Sequence, residues 1–250
     1  MSNADSKVVL VTGATQGIGQ AVAEAMLEDG HHVILAARRA DALEEIAQRY
    51  PDLALPVATD VADPEAVDRL FARIREIHGR LDVVFNNAGA FMASSEISEV
   101  SWEDWRRVLA VNLDGAFLIA RGAFQLMREQ SPKGGRIINN GSISAHAPRV
   151  GSVAYTTSKH AITGLTKCIS LDGRPYDIAC SQIDIGNAET PMTAPMKAGI
   201  PQPDGSLKQE PVMDVAHVAD AVRYMSNLPL DANVQFMTVM ATKMPYLGRG

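Results

Sequence analysis

Tyr155 and Lys159 stand four residues apart in a segment whose apolar positions continue helically through Leu165 and Ile169. At that spacing the two side chains leave one face of a helix. A free phenol titrates near ~10 and a free lysine near ~10.4, and an ammonium beside a phenol favours the phenolate. Such a tyrosine can exchange a proton at neutral pH, as a general acid or base must. Ser142 ends the strand-like run Gly135-Arg-Ile-Ile-Asn-Asn-Gly141, so its hydroxyl emerges at a strand's carboxyl end, where open α/β sheets bind ligands. Alone, a Tyr-x-x-x-Lys pair is more often a solvated face or a lysine lying along apolar surface. The elements that would position the pair decide the matter.

Val8 to Thr12 reads as a short apolar strand buried on both faces. The turn Gly13-Ala-Thr15-Gln16-Gly17-Ile18-Gly19 follows, and then a helical run from Gln20 to Glu28 closed by Gly30. The first glycine permits a tight turn, Gly17 admits a phosphate close to the backbone, and Gly19 lets helix and strand pack closely. The free N–H groups and positive dipole end of the helix then suit a pyrophosphate. A plain turn is the competing reading, because the spacing departs from Gly-x-Gly-x-x-Gly. A second strand, Val33 to Ala37, ends in Arg38-Arg39 with no acid to take the ribose hydroxyls of NAD. The two guanidinium groups suit a 2′-phosphate instead, which favours NADP(H) over NAD(H).

Further strands are expected at Ala54–Thr59, Leu81–Phe85, Ile137–Gly141, Tyr176–Asp184 and Val234–Met240. Helices are expected from Asp41 to Arg49, from an Asp63 cap with Pro64 in the first turn, from Trp102 through about Met127, and from Asp214 to Met225. Pro191 to Pro211 is rich in Pro and Gly without a clear period, and reads as a flexible lid over the site or an ordinary surface loop. Strands alternating with helices imply a parallel sheet covered on both faces, with right-handed crossovers bringing the strand ends to one rim.

The 250 residues suit one α/β domain, and 46% hydrophobic with 21% charged residues is ordinary for a globular core. A net charge of -6 argues against a nucleic-acid partner. Cys168 and Cys180 are expected to be free thiols in core-facing positions, and neither they nor the six histidines show metal-ligand spacing. The polar N-terminus and the shortness of every apolar run point away from a membrane and toward the cytoplasm.

Together these motifs make the chain resemble the short-chain dehydrogenase/reductase family over roughly residues 7 to 192. Thr12-Gly13-x-x-x-Gly17-Ile18-Gly19 is similar to the family's cofactor turn, with Thr15 and Gln16 inside it. Asp60-Val61 sits where the family contacts adenine, and Asn86-Asn87-Ala88-Gly89 matches its motif after the fourth strand. Asn112, Ser142, Tyr155 and Lys159 fall at its catalytic positions, and Gly186 and Thr190 lie where its cofactor loop runs. Two departures stand out. Ile185-Gly186 replaces the usual Pro-Gly, which is expected to loosen that loop, and the C-terminal end lacks the frequent Val-Asp-Gly-Gly.

The resemblance implies a single-domain Rossmann-type doubly wound α/β fold of about seven parallel strands. It implies hydride transfer between nicotinamide and a carbonyl or secondary alcohol. Tyr155 would protonate the developing alkoxide or take the alcohol proton. Lys159 would lower the tyrosine pKa and hold the nicotinamide ribose. Ser142 would stabilise the substrate oxygen, and Asn112 would hold a water behind Lys159. Phe91, Met92, Val150, Met192 and Met196 suggest an apolar small-molecule substrate; Ala93 to Ser98 and His146 add polarity. The family also implies a homodimer or homotetramer, for which Ala123, Met127, Ile162 and Leu165 are interface positions or core. The competing function is an NADP-binding regulatory protein without chemistry, against which the intact set of four residues argues. Elimination or epimerisation on the same scaffold is a third reading.

Overall fold

The computed structural model describes residues 6–194, 196, 199–202 and 204–247. Strands β1 (Val8–Thr12), β2 (His32–Ala37), β3 (Ala54–Ala58), β4 (Val83–Asn86), β5 (Gly135–Asn140), β6 (Ile178–Ile185) and β9 (Phe236–Val239) form one seven-stranded sheet. Their order is β3-β2-β1-β4-β5-β6-β9 and every pairing is parallel. The order reverses between β1 and β4, the point at which doubly wound sheets open a crevice for ligands.

Side chains alternate across the strands, so each strand feeds two cores. Val9, Val11, Val33 and Leu35 pack under α1 (Gly17–Glu28), α2 (Ala40–Ala47) and α7 (Ala216–Asn227) through Val22, Met26, Leu43, Ile46, Val218 and Val222. Val8, Leu10, Ile34 and Val84 face α3 (Pro64–His78), α5 (Ala116–Glu129) and α6 (Val153–Gly173) through Leu70, Ile74, Ile119, Ala123 and Ile169. Asp63 caps α3 by accepting from the Glu65 N–H at 3.0 Å, with Pro64 in the first turn.

Three local differences from the periodicity have physical causes. The helix expected from Trp102 to Met127 is α4 (Trp102–Leu109) joined to α5 by a π-helical stretch, Ala110–Gly115, centred on Asn112. Such bulges concentrate at functional sites, and hydrophobic period does not register one inserted residue. β6 starts at Ile178 because Arg174–Tyr176 make a 3₁₀ turn and Asp177 takes a left-handed conformation (φ 55). Cys168 is exposed on α6 rather than core-facing, while Cys180 is buried; both are free thiols.

The segment expected to be a lid contains a 3₁₀ turn, Pro191–Thr193, and a short antiparallel hairpin, β7 (Ile200–Pro201) and β8 (Leu207–Lys208). Residues 195, 197, 198 and 203 of it lie outside the described residues, as do 1–5 and 248–250. Ala123, Met127 and Ile162 are buried within the chain, so of the residues considered for an interface only Leu165 is partly open.

The carboxyl ends of the central strands are tied together by side chains. Thr12 Oγ1 accepts from the backbone N–H groups of Asn87 and Ala88, both at 2.9 Å, while Asn87 Nδ2 donates to Thr12 O at 2.8 Å. Thr12 is wholly buried, so Thr12→Val keeps its shape and orphans two N–H groups at about 1–3 kcal/mol each. The variant is expected to lose roughly 2–5 kcal/mol in a denaturant titration. An unchanged midpoint would contradict this role.

Candidate active site

The glycine turn leaves β1 at Gly13 (φ +67), whose N–H donates to Ala36 O at 2.8 Å. Gly17 also takes positive φ (+56), and a Cβ on Gly19 would lie 2.2 Å from Gly13 O. α1 starts at Gly17 with Gln16 as its N-terminal flank, without a side-chain cap and without an acid in the first turn. Its first N–H groups are thus left for an anion. Thr15 and Ile18 are half-buried beside them and Gln16 is exposed. Arg38 and Arg39 are exposed at the end of β2. Arg39 donates to Thr15 O at 3.3 Å, and Arg38 forms no ion pair among the described residues.

Other loops lie on the same rim. Asp60 is exposed and accepts from Ala62 N–H at 3.0 Å, while Val61 is buried against Gly115 of the π segment. Asn87, Ala88 and Gly89 turn out of β4. Thr190 caps the 3₁₀ turn after β6, and its Cγ2 lies 3.1 Å from where a Gly17 Cβ would be. Any larger residue at 17 or 19 would fill the turn, so the residues present fit a nicotinamide dinucleotide.

At Gly186, where the absence of proline is expected to loosen the loop, the backbone is paired with β9. Ile185 extends β6 by pairing with Val239, and Gly186 N–H donates to Val239 O at 2.9 Å. Met240 and Met244 of the C-terminal segment close over Gly186, where a Cβ would meet the Met244 sulfur at 2.5 Å. Met244, Ala241 and Ile143 form a small apolar cluster with Met213, Met240 and Tyr246 packed on it.

The four chemical residues converge. Tyr155 and Lys159 share one face of α6, with the lysine Nζ 5.5 Å from the phenol ring centroid. The Ser142 hydroxyl reaches the Tyr155 phenol and also accepts from Ser144 N–H at 3.1 Å. Lys159 Nζ donates to Asn140 O at 2.7 Å. Asn112 Oδ1 accepts from Ala90 N–H at 2.6 Å, and its Nδ2 donates to Ala90 O at 3.0 Å and Ser158 Oγ at 3.1 Å. Asn112 therefore pins the loop after β4 to α6. Phe91 stacks edge-on to Tyr155 with centroids 5.3 Å apart.

The electrostatics differ from the simple phenol–ammonium expectation. Desolvation pushes the Tyr155 phenol up, and Ser142 and Arg149 only partly offset it. Burial brings Lys159 down to about 8, opposed by the Asp184 carboxylate. In this state the tyrosine is held as the protonated acid, and the lysine is a weakly held cation.

Several residues here escaped the motif reading. Asn140 Nδ2 donates to Asn87 Oδ1 at 2.8 Å, and Asn86 Nδ2 donates to Asn139 Oδ1 at 3.1 Å. The signal was available as two Asn-Asn pairs ending adjacent strands. Arg149 pairs with the buried Glu210 carboxylate at 2.7 Å and with Asn187 Oδ1 at 2.9 Å, fastening the loop before α6 to the end of the 191–211 segment. Burial opposes ionisation of Glu210, but the Arg149 and Asn187 hydrogen bonds hold its carboxyl below the usual range. Of the apolar residues expected to line a pocket, Met92 goes into a core with Val108 and Ala154, whereas Phe91, Val150 and Met192 stay exposed at the rim.

Comparison with known proteins identifies the family. A family model described as short chain dehydrogenase matches residues 7–200, and the chain belongs to that family. It is an NAD(P)-dependent oxidoreductase. A 3beta-hydroxysteroid dehydrogenase of Mediterraneibacter gnavus is 36% identical over 207 residues, covering 80% of this chain and 72% of the relative. An uncharacterized oxidoreductase of Staphylococcus aureus is 34% identical over 234 residues, covering 93% of this chain and 96% of its own length. Among solved structures, the closed form of serine dehydrogenase complexed with NADP+ matches at TM-score 0.86 and 25% identity, over 97% of this chain and 98% of that one. A variant of actinorhodin polyketide ketoreductase with NADPH matches at TM-score 0.83 and 26% identity, over 96% and 98%. No helix among the described residues is long and apolar enough to cross a membrane.

The lysine carries a measurable stability signature. Between about 8 and the ordinary lysine value of 10.5 the native state binds fewer protons than the unfolded chain, so stability rises with pH across that window. At pH 7 the buried charge costs about 3 kcal/mol by linkage. Relative to Lys159→Met, the wild-type protein is expected to gain melting temperature from pH 8 to 10.5. A difference that does not change with pH would contradict the buried-charge account.

Proposed function

We propose that the protein transfers a hydride between NADP(H) and a carbonyl or secondary alcohol on a largely apolar small molecule, with Tyr155 as general acid and base. The observation that carries this is the meeting of the Tyr155 phenol, the Ser142 hydroxyl and Lys159 at the strand ends beside Phe91. The bound nicotinamide supplies or accepts the hydride. Ser142 hydrogen-bonds the substrate oxygen, and Tyr155 gives its proton to that oxygen as negative charge develops there. In the reverse direction Tyr155 takes the alcohol proton. Lys159 holds the nicotinamide ribose and steadies the phenolate, and Asn112 keeps the loop after β4 and the start of α6 in register with them.

NADP is favoured by Arg38, exposed and without an ion pair among the described residues, next to Arg39. An apolar substrate is favoured by the rim residues Phe91, Val150 and Met192 and by the methionine-rich cluster at Ile143. The name of the Mediterraneibacter gnavus relative makes a flat alicyclic alcohol or ketone the first class to try. On this reading residues 191–211 close over the substrate, anchored by Thr190 and Glu210. The same proposal places the enzyme in the cytoplasm as a homodimer or homotetramer. Exposed Trp102 and Phe117 on α4 and α5 and Leu171 on α6 support association.

Purified protein is expected to change the reduced-nicotinamide absorbance with at least one member of a hydroxysteroid and ketone panel. Tyr155→Phe is expected to lower kcat/KM about a hundredfold or more. Arg38→Ala is expected to weaken NADPH about tenfold while leaving NADH binding unchanged, read by cofactor fluorescence. No turnover across the panel would count against the substrate class, and equal loss of NADPH and NADH would overturn the 2′-phosphate assignment. Light scattering is expected to give a multiple of 26.8 kDa. A mass of one chain would remove the oligomer from the proposal.

A further inference from the structure

Beneath the catalytic residues lies a carboxylate that the reaction as described does not use. Asp184 is the second-last residue of β6 and is 1% exposed. Its Oδ1 accepts from the Ser142 backbone N–H at 3.0 Å and from Gln182 Nε2 at 2.7 Å. Its Oδ2 lies 2.8 Å from His146 Nε2. A Cβ at residue 141 would fall 2.1 Å from Oδ1, so the residue before the catalytic serine must be glycine to admit this carboxylate. Within the described residues its one ion-pair partner is His146, whose side chain is 45% exposed at the surface of the site. A buried carboxylate is costly unless it is paired and hydrogen-bonded, and Asp184 meets that need through Ser142, Gln182 and His146.

We propose that Asp184, capped by His146, is a positioning residue for proton transfer through Tyr155: it fixes Ser142 by its backbone and sets a negative charge beneath the phenol and Lys159. This rests on the proposed proton role of Tyr155. Charged groups around the pair are Tyr155 and Lys159 on α6, and Arg149 with its partner Glu210 in the loops beside them. The sheet neighbour of Asp184 on β9 is Thr238, which is uncharged. The carboxylate acts in one direction on both catalytic groups, holding the proton on the phenol and on the lysine. A protonated or cationic residue 146 would cancel part of that field. A neutral one would leave it in place.

The test compares Asp184→Asn, His146→Lys and His146→Gln with wild type. Asparagine retains an acceptor for the Ser142 N–H without the charge. Lysine places a permanent cation against Asp184 at an exposed position, so it serves even where Asp184→Asn does not fold. Glutamine keeps a donor and stays neutral. Two readouts are taken: the alkaline limb of kcat/KM for carbonyl reduction, and phenolate absorbance of the cofactor-free protein, as a difference against Tyr155→Phe. Asp184→Asn and His146→Lys are expected to move both midpoints to lower pH by about half a unit or more, with His146→Gln near wild type. NADPH affinity is expected to stay within about threefold in all three. Midpoints that coincide with wild type in Asp184→Asn and His146→Lys would overturn the inference and leave Asp184 as a backbone acceptor only. Wild type that turns over no substrate would count against the proposed function, while the absorbance titration would still decide the charge effect of Asp184.

Discussion

The site depends on how the carboxyl ends of three strands and the start of α6 satisfy one another's polar groups. Thr12 at the end of β1 accepts from the turn after β4; Asn87 in that turn accepts from Asn140 at the end of β5; Asn140 O accepts from Lys159 on α6. Buried N–H and C=O groups left without partners cost more than the bonds gain, so the chain of contacts is strongly specified. It joins the end of β1, where the glycine turn begins, to Lys159 in a few short steps. Contiguous hydrogen bonds thus connect the end of β1 to Lys159 on α6.

Much of this was legible because the signals were local. A strand followed by Gly13, Gly17 and Gly19 marks the turn, since backbone sterics leave no other residue there. Tyr155 and Lys159 declare their common face by spacing alone. What escaped has long-range causes. The π stretch around Asn112 adds a residue without changing which positions are apolar. Asp184 looks like the polar end of a buried strand until the fold sets it under Ser142. Ile185 reads as a lost proline, yet its pairing with Val239 keeps β6 running one residue further. The C-terminal methionines, featureless in sequence, close over Gly186 only because β9 lies beside β6.

The chemistry and the stability of the site pull in opposite directions. Burial lowers the lysine's hold on its proton, so the charged Lys159 weakens the folded state at neutral pH. An apolar replacement would pack as well and lack the function, a common relation at sites that must move protons. Arg149 and Glu210 apply similar logic at the rim, where a buried pair fastens the segment that would cover the substrate.

The most direct measurement follows a label. With NADPH dideuterated at nicotinamide C4 and a turned-over ketone, mass spectrometry of the product alcohol reports hydride transfer from either face. Wild type is predicted to place deuterium on the carbinol carbon. Tyr155→Phe is predicted to bind NADPH with affinity within about threefold of wild type and to transfer label about a hundredfold more slowly or worse. Product formed without label, or transfer by Tyr155→Phe at the wild-type rate, would contradict the account.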